Sequence, residues 1–483
     1  MFLTNYFSAP KVVESFYGDP LQSPILGLTL EQRQDRAISI CGGEWNSTVH
    51  ETHKTNGNHK EQSQSGKLWI RRDCHVSQDI IQVFVAEIRN KFQKTSISQI
   101  IIPRITGRFG NLLSDLRFGE HGPLLFWCFE DIDCDSVFVQ NLSESVQKHQ
   151  EISAEEVITI QFVDGPLTWC WMDIDPAEKI YPMPVSRYQF GVDLIEIPLS
   201  DFIVIPTGHW MQLLWANLLS LGPFLYRELL GRSFGEVVVN LFKAFFQCWS
   251  FDPLTLGLQL RRIGKNVKIH PSAVVEACWI GDNVRIGANA VVRGSILADG
   301  VKIEDLALVE FSSLSSGVII QRQAMVKFSV INKNCGIGGV IQLGVMDEGS
   351  LLKRGAYLMD MTLADGGVSI RYNDKSFGVP LGLGGCAIGT RTVIGCGVRI
   401  AAGRYIPSFA QIVADVDQSL LKIPKEIIER SQKKMEDLQK LQRQENEYEE
   451  PKQDMLICRK GTLDMILENS NQQVTTKQDP ENR

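Results

Sequence analysis

The chain has 483 residues, 44% hydrophobic and 22% charged, which is typical of globular proteins with material for more than one core. A net charge of −7 excludes a broad basic surface, so we expect no nucleic-acid partner. The eleven cysteines form no C-x-x-C pair and the first residues carry no secretory signal, so we expect reduced thiols in a cytoplasmic protein.

The N-terminal part of the chain is predicted to consist of a segment, 1–66, and an α/β domain, 67–207. Residues 41–66 are polar and rich in Gly, Ser and Asn, which is typical of a linker. A helix is predicted over residues 77–92, where apolar residues follow one face. Predicted strands alternate with helical segments, so we expect a mostly parallel sheet covered by helices. The predicted strands are Leu68–Arg71, Gln99–Pro103, Ser136–Val139, Val157–Val163, Asp193–Ile197 and Phe202–Ile205.

An apolar helical connector is predicted over 208–260. Residues 202–226 contain no Asp, Glu, Lys or Arg, and Pro206 and Pro223 bracket only sixteen residues. This length is too short for a membrane-spanning helix. Two alternatives remain open, namely burial between domains and peripheral contact with a membrane through 208–251.

The most regular feature is a series of apolar residues that begins at Ile263. Its members are separated by six, six and five residues, and the steps repeat with a period of 17. The fifteen positions are Ile263, Ile269, Val275, Ile280, Ile286, Val292, Leu297, Ile303, Val309, Leu314, Ile320, Val326, Ile331, Ile337 and Leu343. A second series has strict steps of six and consists of Ile388, Ile394, Ile400, Ile406 and Ile412.

This spacing predicts a parallel β-helix over 261–423. Every sixth side chain would point into a prism, and three short strands would make one coil. Glycine follows several of the key positions and permits tight corners there. After the prism, 424–483 form a charged tail, predicted to begin as a helix and then to be disordered.

Three segments, IGKNVKIHPSAVV, IGDNVRIGANAVV and IGTRTVIGCGVRI, follow the pattern [Ile/Leu/Val]-Gly-x4, which resembles that of the hexapeptide-repeat transferases. The resemblance implies that the β-helix is left-handed. It also implies that one corner of each coil is tightened, because the 17-residue coil is one residue shorter than is usual in that family. Since such β-helices pair or trimerise through flat faces, the resemblance further implies a homo-oligomer.

Residues 263–412 more narrowly resemble the tail of sugar-1-phosphate nucleotidylyltransferases fused to an acetyltransferase-type β-helix. In that group an Asp-Gly loop leaves the prism and returns through a Leu-Gly-x-x-Ile-Gly run. Asp365-Gly366, Leu383-Gly384 and Ile388-Gly389 follow the same order. The resemblance implies an excursion loop near 346–384 and a small phosphorylated or sugar substrate.

The first functional hypothesis is nucleotidylyl transfer in the α/β domain, in sugar-nucleotide metabolism. It would place a phosphate at Gly107 and Gly110, where backbone N–H groups can bind an anion. Arg104 and Arg108 would neutralise the phosphate, and Arg108 would contribute to catalysis.

The same hypothesis requires Mg²⁺, which prefers carboxylate oxygens beside phosphates. Asp164 follows a predicted strand, and Asp173 and Asp175 lie close to the end of the next apolar run. These three are the candidate metal ligands, and Asp164 is also a candidate catalytic residue.

The second hypothesis is acyl transfer on the β-helix, with acetyl-CoA as donor and a general base for the acceptor. His270 is the only histidine within 263–412. Charged side chains of the excursion loop and the following coil are candidates for binding a phosphorylated or acidic ligand, namely Asp360, Asp365, Arg371, Asp374, Lys375 and Arg404. The third hypothesis is a non-catalytic β-helix that serves as a scaffold or membrane-docking oligomer, without a cofactor.

Overall fold

The structure is a computed structural model. It describes residues 2–7, 24–40, 43–45, 67–92, 99–119, 122–129, 136–154, 156–162, 165–184, 193–231, 234–249, 253–362, 367–372, 374–414, 419–420, 425–443 and 454–458.

The chain divides into two compact units. The first consists mainly of Gly18–Phe224 and includes the inserted segment Arg371–Leu381. The second consists mainly of Leu225–Ile370 and Gly382–Arg483. The boundary between the two units, at Phe224 and Leu225, falls within the predicted connector, 208–260.

The first unit contains a seven-stranded sheet, in the order β4-β1-β5-β8-β7-β10-β9. Three of its neighbouring pairs are parallel and three are antiparallel. The predicted α/β class is confirmed, and the sheet is mixed rather than mostly parallel. Its strands are β1 (Phe2–Phe7), β4 (Gly43–Trp45), β5 (Lys67–Arg71), β7 (Ile100–Ile105), β8 (Leu125–Cys128), β9 (Ile158–Phe162) and β10 (Gly165–Ile174).

Three further strand pairs belong to this unit, and all are antiparallel. They join β2 (Pro24–Ile25) to β3 (Leu28–Thr29), β6 (Cys74–Val76) to β13 (Val204–Pro206), and β11 (Lys179–Pro184) to β12 (Leu194–Leu199). The helices are α1 (Leu30–Ile40), α2 (Gln78–Glu87, continued by a π turn to Phe92), α3 (Gly107–Asp115), α4 (Ser136–Lys148) and α5 (Trp210–Leu230).

Helices cover both faces of the sheet because successive strand residues point to opposite sides. In β5, Leu68 and Ile70 pack against α1 and α2, whereas Trp69 packs with α4. The predicted strand Ser136–Val139 is wrong, because these residues form the first turn of α4. Phe138, Leu142 and Val146 recur at helical spacing and are all buried. The β-branched and aromatic residues at the start of the segment favoured the strand prediction.

Helix α5 contains most of the stretch 202–226, which has no Asp, Glu, Lys or Arg. The side chains of Trp210, Leu214 and Trp215 in this helix are buried. In the portion of the chain that the structure describes, no helix is long and apolar enough to cross a membrane. The second unit contains α6 (Phe234–Cys248), α7 (Pro253–Gln259) and α8 (Lys425–Arg443).

Three parallel sheets in the second unit form the predicted β-helix. The first consists of Arg261–Ile263, Cys278–Ile280, Ile296–Leu297, Ser313–Leu314, Val330–Ile331, Val345–Met346, Ala387–Ile388 and Tyr405–Ile406. The second consists of Lys268–Ile269, Arg285–Ile286, Lys302–Ile303, Ile319–Ile320, Gly336–Ile337, Leu351–Leu352, Val393–Ile394, Ala410–Ala414 and Asp454–Cys458. The third consists of Val274–Glu276, Val291–Arg293, Leu308–Glu310, Met325–Lys327, Val340–Gln342, Tyr357–Leu358, Arg399–Ile400 and Ser419–Leu420.

The apolar series lines the interior of this β-helix, as predicted. Ile280 pairs with Leu297 and Leu297 with Leu314, so equivalent members stack coil upon coil. One member is corrected, because Ile341 and not Leu343 occupies the fifteenth position. Ile341 is fully buried and pairs with Val326, whereas Leu343 lies at a corner with φ of +49°.

In three successive coils the shortened corner is closed by a buried serine, namely Ser295, Ser312 and Ser329. The Ser295 hydroxyl donates to the carbonyl of Arg293 at 2.7 Å and accepts the backbone N–H of Ser312 at 3.1 Å. Ser312 and Ser329 repeat both bonds one coil further on. These buried hydroxyls satisfy backbone groups that a corner of five residues leaves unpaired, which explains the step of five.

A second corner requires glycine. A Cβ atom at Gly281 would lie 2.4 Å from Oδ1 of Asp299. That oxygen accepts the backbone N–H of Asp282 at 2.7 Å, so the aspartate approaches the glycine to close the turn between coils. This contact explains why glycine follows the inward residue.

The excursion between Leu358 and Ala387 carries a two-stranded hairpin, Ser369–Tyr372 and Lys375–Gly378, followed by a 3₁₀ turn, Pro380–Gly382. Arg371–Leu381 belongs to the first unit. There Tyr372 packs against Phe118 and against His209, at centroid distances of 5.9 Å and 5.5 Å.

Replacing Ile303 by Asp should destabilise the β-helix strongly. Ile303 is 2% exposed, so the variant buries a carboxylate without a partner. We expect a loss on the order of 4 kcal/mol in urea unfolding. Lys302→Asp on the same strand points outward and should cost less than about 0.5 kcal/mol. Equal losses in the two variants would contradict the assignment of inward and outward residues.

Candidate functional site

The predicted phosphate loop forms the end of β7 and the first turn of α3. Gly107 has φ of +77°, and the backbone N–H of Phe109 donates to Oε2 of Glu178 at 2.9 Å. A carboxylate of the chain itself therefore lies at the helix N-terminus, where an anion is stabilised by free N–H groups. A phosphate bound at this position would have to displace Glu178.

Gly110 has a packing role in the same turn. A Cβ atom at this position would lie 2.1 Å from the carbonyl oxygen of Ile105. The glycine therefore lets α3 approach the end of β7 closely.

The two predicted phosphate-binding arginines each pair with an acidic side chain. Arg104 donates to both carboxylate oxygens of Asp173, at 2.6 Å and 2.8 Å, and its guanidinium lies over the ring of Trp171. Arg108 donates to Oε2 of Glu196 at 2.7 Å, and both of these side chains are exposed. The structure thus brings together Arg104 and Asp173, which the sequence analysis had assigned to phosphate and metal separately.

The predicted Mg²⁺ ligands do not form a cluster in the part of the chain that is described. Asp164 lies outside the described residues. Asp173 is held by Arg104, and Asp175 is exposed. Among the described residues, no three His, Cys, Asp or Glu side chains are grouped as metal ligands. Asp173 and Asp175 alone therefore do not fit a magnesium site.

The predicted ligand loop is divided between the two units. Asp365 lies outside the described residues. Arg371 and Lys375 are exposed and belong to the first unit, whereas Arg404 is half-buried and belongs to the second. Asp360, at the start of the excursion, also belongs to the second unit.

Two buried histidines of the first unit were missed by the sequence analysis, and neither is suited to act as a base. Burial lowers the pKa of His75 and of His209 to about 3, so both are neutral. The His209 ring hydrogen-bonds to the backbone of Arg371, and His75 Nε2 lies 2.9 Å from the hydroxyl of Ser220. These histidines orient backbone and side chains inside the unit.

In the β-helix, His270 is exposed in the opening coil. Its Nδ1 lies 2.8 Å from the hydroxyl of Ser272 and accepts the backbone N–H of the same residue at 3.2 Å. The contacts therefore fit a corner role, in which the imidazole stabilises the turn before the next strand.

The neck of the excursion is where the chain leaves the prism after Leu358 and re-enters at Gly384. Asp360 is half-buried there, and its carbonyl accepts the backbone N–H of Gly384. Burial is the main cause that raises the pKa of Asp360 above its usual value of 3.8. A half-buried carboxylate with a raised pKa has the properties of a general base.

Cys386 lies at the same neck but is not a candidate nucleophile. Burial raises the pKa of its thiol to about 12, so the thiolate form is not populated near neutral pH. Its Sγ lies 3.2 Å from the carbonyl oxygen of Ala401. Cys386 therefore fills the prism.

A second carboxylate with a raised pKa, Asp347, lies inside a corner of the β-helix. Burial is the main cause of the raised pKa, and two side-chain hydrogen bonds and one backbone hydrogen bond oppose it. Asn332 Nδ2 donates to Oδ1 at 2.8 Å and the Thr390 hydroxyl donates to Oδ2 at 2.5 Å. Asp347 thus joins three successive coils and is inaccessible to a substrate.

Comparison with protein families identifies the class of the β-helix. Residues 262–294 match the family described as bacterial transferase hexapeptide (six repeats). Residues 288–354 match the family described as GlmU-like, C-terminal hexapeptide. Residues 262–354 therefore carry hexapeptide repeats of the kind these two families describe, and the solenoid is a left-handed β-helix. Among curated proteins, no sequence matches the chain.

Solved structures with a similar fold include the polysialic acid O-acetyltransferase OatWY, which is 20% identical with a TM-score of 0.15 and covers 34% of this chain and 79% of its own. LpxA from Acinetobacter baumannii is 13% identical with a TM-score of 0.17, covering 33% of this chain and 67% of its own. The UDP-N-acetylglucosamine acyltransferase of Francisella novicida is 11% identical with a TM-score of 0.17, covering 44% and 85%. At these TM-scores the likenesses carry no argument about activity.

Removal of the Glu178 carboxylate should destabilise the first unit. Glu178→Ala leaves the Phe109 N–H and the helix N-terminus without their acceptor, which should cost about 1 kcal/mol in urea unfolding followed by tryptophan fluorescence. Glu178→Gln keeps an acceptor and loses only the charge, so it should cost less. An unchanged stability in Glu178→Ala would contradict the assigned contact.

Replacing Asp347 by Asn should make stability less dependent on pH. The folded-state pKa of Asp347 is raised, so the folded state binds more protons than the unfolded chain above pH 3.8. Wild-type stability relative to Asp347→Asn should therefore fall as pH rises above 3.8. The measurement is the free energy of unfolding of both proteins across this range. A difference that does not change with pH would contradict the raised pKa.

Proposed function

We propose that this chain is an acyltransferase that acts at the neck of the excursion in its β-helix. The donor is an acyl thioester such as acetyl-CoA, and the acceptor is a hydroxyl or amine of a small sugar or phosphorylated compound. The observation that carries the proposal is Asp360, a half-buried carboxylate with a raised pKa where the chain leaves a hexapeptide-repeat prism.

The chemistry assigned to Asp360 is proton removal from the acceptor. As the acceptor oxygen or nitrogen attacks the thioester carbonyl carbon, its proton passes to Asp360 and the carbon–sulfur bond breaks. The departing thiolate takes up a proton, so the thiol and the acylated acceptor are the products. Two other side chains of the described β-helix that could act as a base or nucleophile are engaged elsewhere, which favours a carboxylate in this role. The His270 ring contacts the Ser272 hydroxyl at a corner, and Cys386 remains a protonated thiol.

The activity can be tested with the full-length chain, acetyl-CoA and a panel of sugars and sugar phosphates. We expect acceptor-dependent release of free thiol together with an acetylated product detected by mass spectrometry. No acetylated product from any acceptor or short-chain acyl thioester would overturn the proposal.

Replacing Asp360 by Asn should reduce kcat/KM by about 100-fold or more, the contribution typical of general base catalysis. The amide keeps the size of the side chain and removes a charge that burial disfavours, so the fold should persist. Glu348→Gln is the matched control, because Glu348 is an exposed carboxylate of the same β-helix. Equal rates in the two variants would exclude Asp360 as the base.

The pH dependence of the rate follows from the same residue. A base must be ionised to accept a proton, and burial raises the pKa of Asp360 above 3.8. The rate should therefore fall as pH decreases through this raised pKa. A wild-type rate that is constant down to pH 4 or below would contradict the assignment.

Nucleotidylyl transfer in the first unit is a second candidate function. It is supported by the position of a mixed α/β sheet on the N-terminal side of a GlmU-like C-terminal hexapeptide region. Its test is pyrophosphate release from nucleoside triphosphates with sugar phosphates and Mg²⁺, with Arg108→Ala as the variant. A chain with neither activity would fit the scaffold hypothesis.

A further inference from the structure

Helix α6 presents a large apolar face to the surroundings. Phe234 is 85% exposed, Phe242 62% and Trp249 73%. Among the α6 side chains that the structure describes, only Ala244 is buried. Such exposure is unusual, since exposed apolar residues of soluble monomers are mostly scattered singly.

The exposed residues follow a heptad seam. Their positions alternate by four and three residues, which places them along one line of the helix. They are Gly235, Val239, Phe242 and Phe246, and all four are exposed, as is Trp249 directly after the end of the helix. This is the spacing by which one helix packs along a second helix.

The exposed area of this apolar face is close to the area that one partner buries in a specific protein–protein interface. Four aromatic side chains, Phe234, Phe242, Phe246 and Trp249, expose on the order of 500 Å² in total. With Val238, Val239 and Leu241, which are also exposed, the face approaches the roughly 800 Å² that each partner buries in a standard interface.

The charges on α6 fit an antiparallel copy of the same helix. Glu236 and Lys243 are its only charged residues, and each directly follows a seam residue, so both lie on the same flank. They are seven residues apart, which is about 10 Å along the axis. A twofold axis between them places Glu236 opposite Lys243 of the partner subunit, and Lys243 opposite Glu236 of the partner subunit. Glu236 also interacts within its own chain, and a carboxylate has several acceptor positions.

We infer that α6 is the interface of a twofold symmetric dimer, in which the occupant of the apolar face is α6 of a second copy of this chain. The interface is self-complementary because a twofold axis brings the same surface of both protomers together. The apolar seam supplies the association, and the two ion pairs select the antiparallel orientation.

The test is a charge-exchange series in the full-length protein, with the dimer dissociation constant measured by sedimentation equilibrium. Glu236→Lys and Lys243→Glu each place like charges opposite one another across the twofold axis and should weaken the dimer by about tenfold or more. The double variant restores opposite charges and should return to within about threefold of wild type. Lys265→Glu, an exposed charge reversal on the β-helix, is the control and should have no effect.

A seam variant tests the apolar part separately. Phe242→Glu should halve the assembly mass observed for wild type, whose protomer mass is 54.2 kDa. Failure of the double variant to recover would overturn the antiparallel arrangement. A wild-type protein that is monomeric, but sediments with phospholipid vesicles and loses this property in Phe242→Glu, would overturn the dimer and show a lipid surface as the occupant.

Discussion

In the described strands of the β-helix the side chains that point into the prism are apolar, and they pack on one another in its core. Val292 stacks on Val309 and Val309 on Val326, so every coil supports the next through the same position. The inward series therefore determines the register of the whole unit. The same register places the outward-facing residues of successive coils next to one another. On the third sheet Arg293 contacts Glu276 and Glu310, and Lys327 contacts Glu310, at distances of 2.7 to 3.4 Å.

This constraint explains why the β-helix could be predicted from the sequence almost completely. A strict period is visible in a single sequence because burial imposes the same requirement on each coil. The one error, Leu343 for Ile341, arose where a coil is shorter and two apolar residues lie near the expected step. The left-handed turn at Leu343 decides between them, and a count of apolar positions contains no information about it.

The first unit was less predictable because its contacts join distant parts of the chain. The helix α4 was assigned as a strand from its first four residues, although Phe138, Leu142 and Val146 follow a helical period. The contacts of the candidate site were even harder to predict from the sequence. Glu178 is 69 residues from the N–H that it accepts, and Arg104 is equally far from Asp173. A local sequence motif does not predict pairs of residues so far apart in the chain.

The carboxylates of the two units differ in their surroundings. Near α3, Asp173, Glu178 and Glu196 are bound by an arginine or a helix N-terminus, which are partners that stabilise a charged carboxylate. In the β-helix, burial raises the pKa of both Asp347 and Asp360, so their charged forms oppose folding at neutral pH.

Asp347 has a structural explanation, since its two oxygens accept hydrogen bonds from Asn332 and Thr390 and so connect successive coils. Asp360 is half-buried rather than enclosed, and the effect of its one stabilising backbone bond on the pKa is smaller than that of burial. The proposed acyl transfer depends on this carboxylate, which is unfavourable when ionised and is only half-buried beside the returning chain. The carboxylate at the neck is therefore the stronger candidate for catalysis, and the charged residues near α3 are the stronger candidates for holding the first unit together.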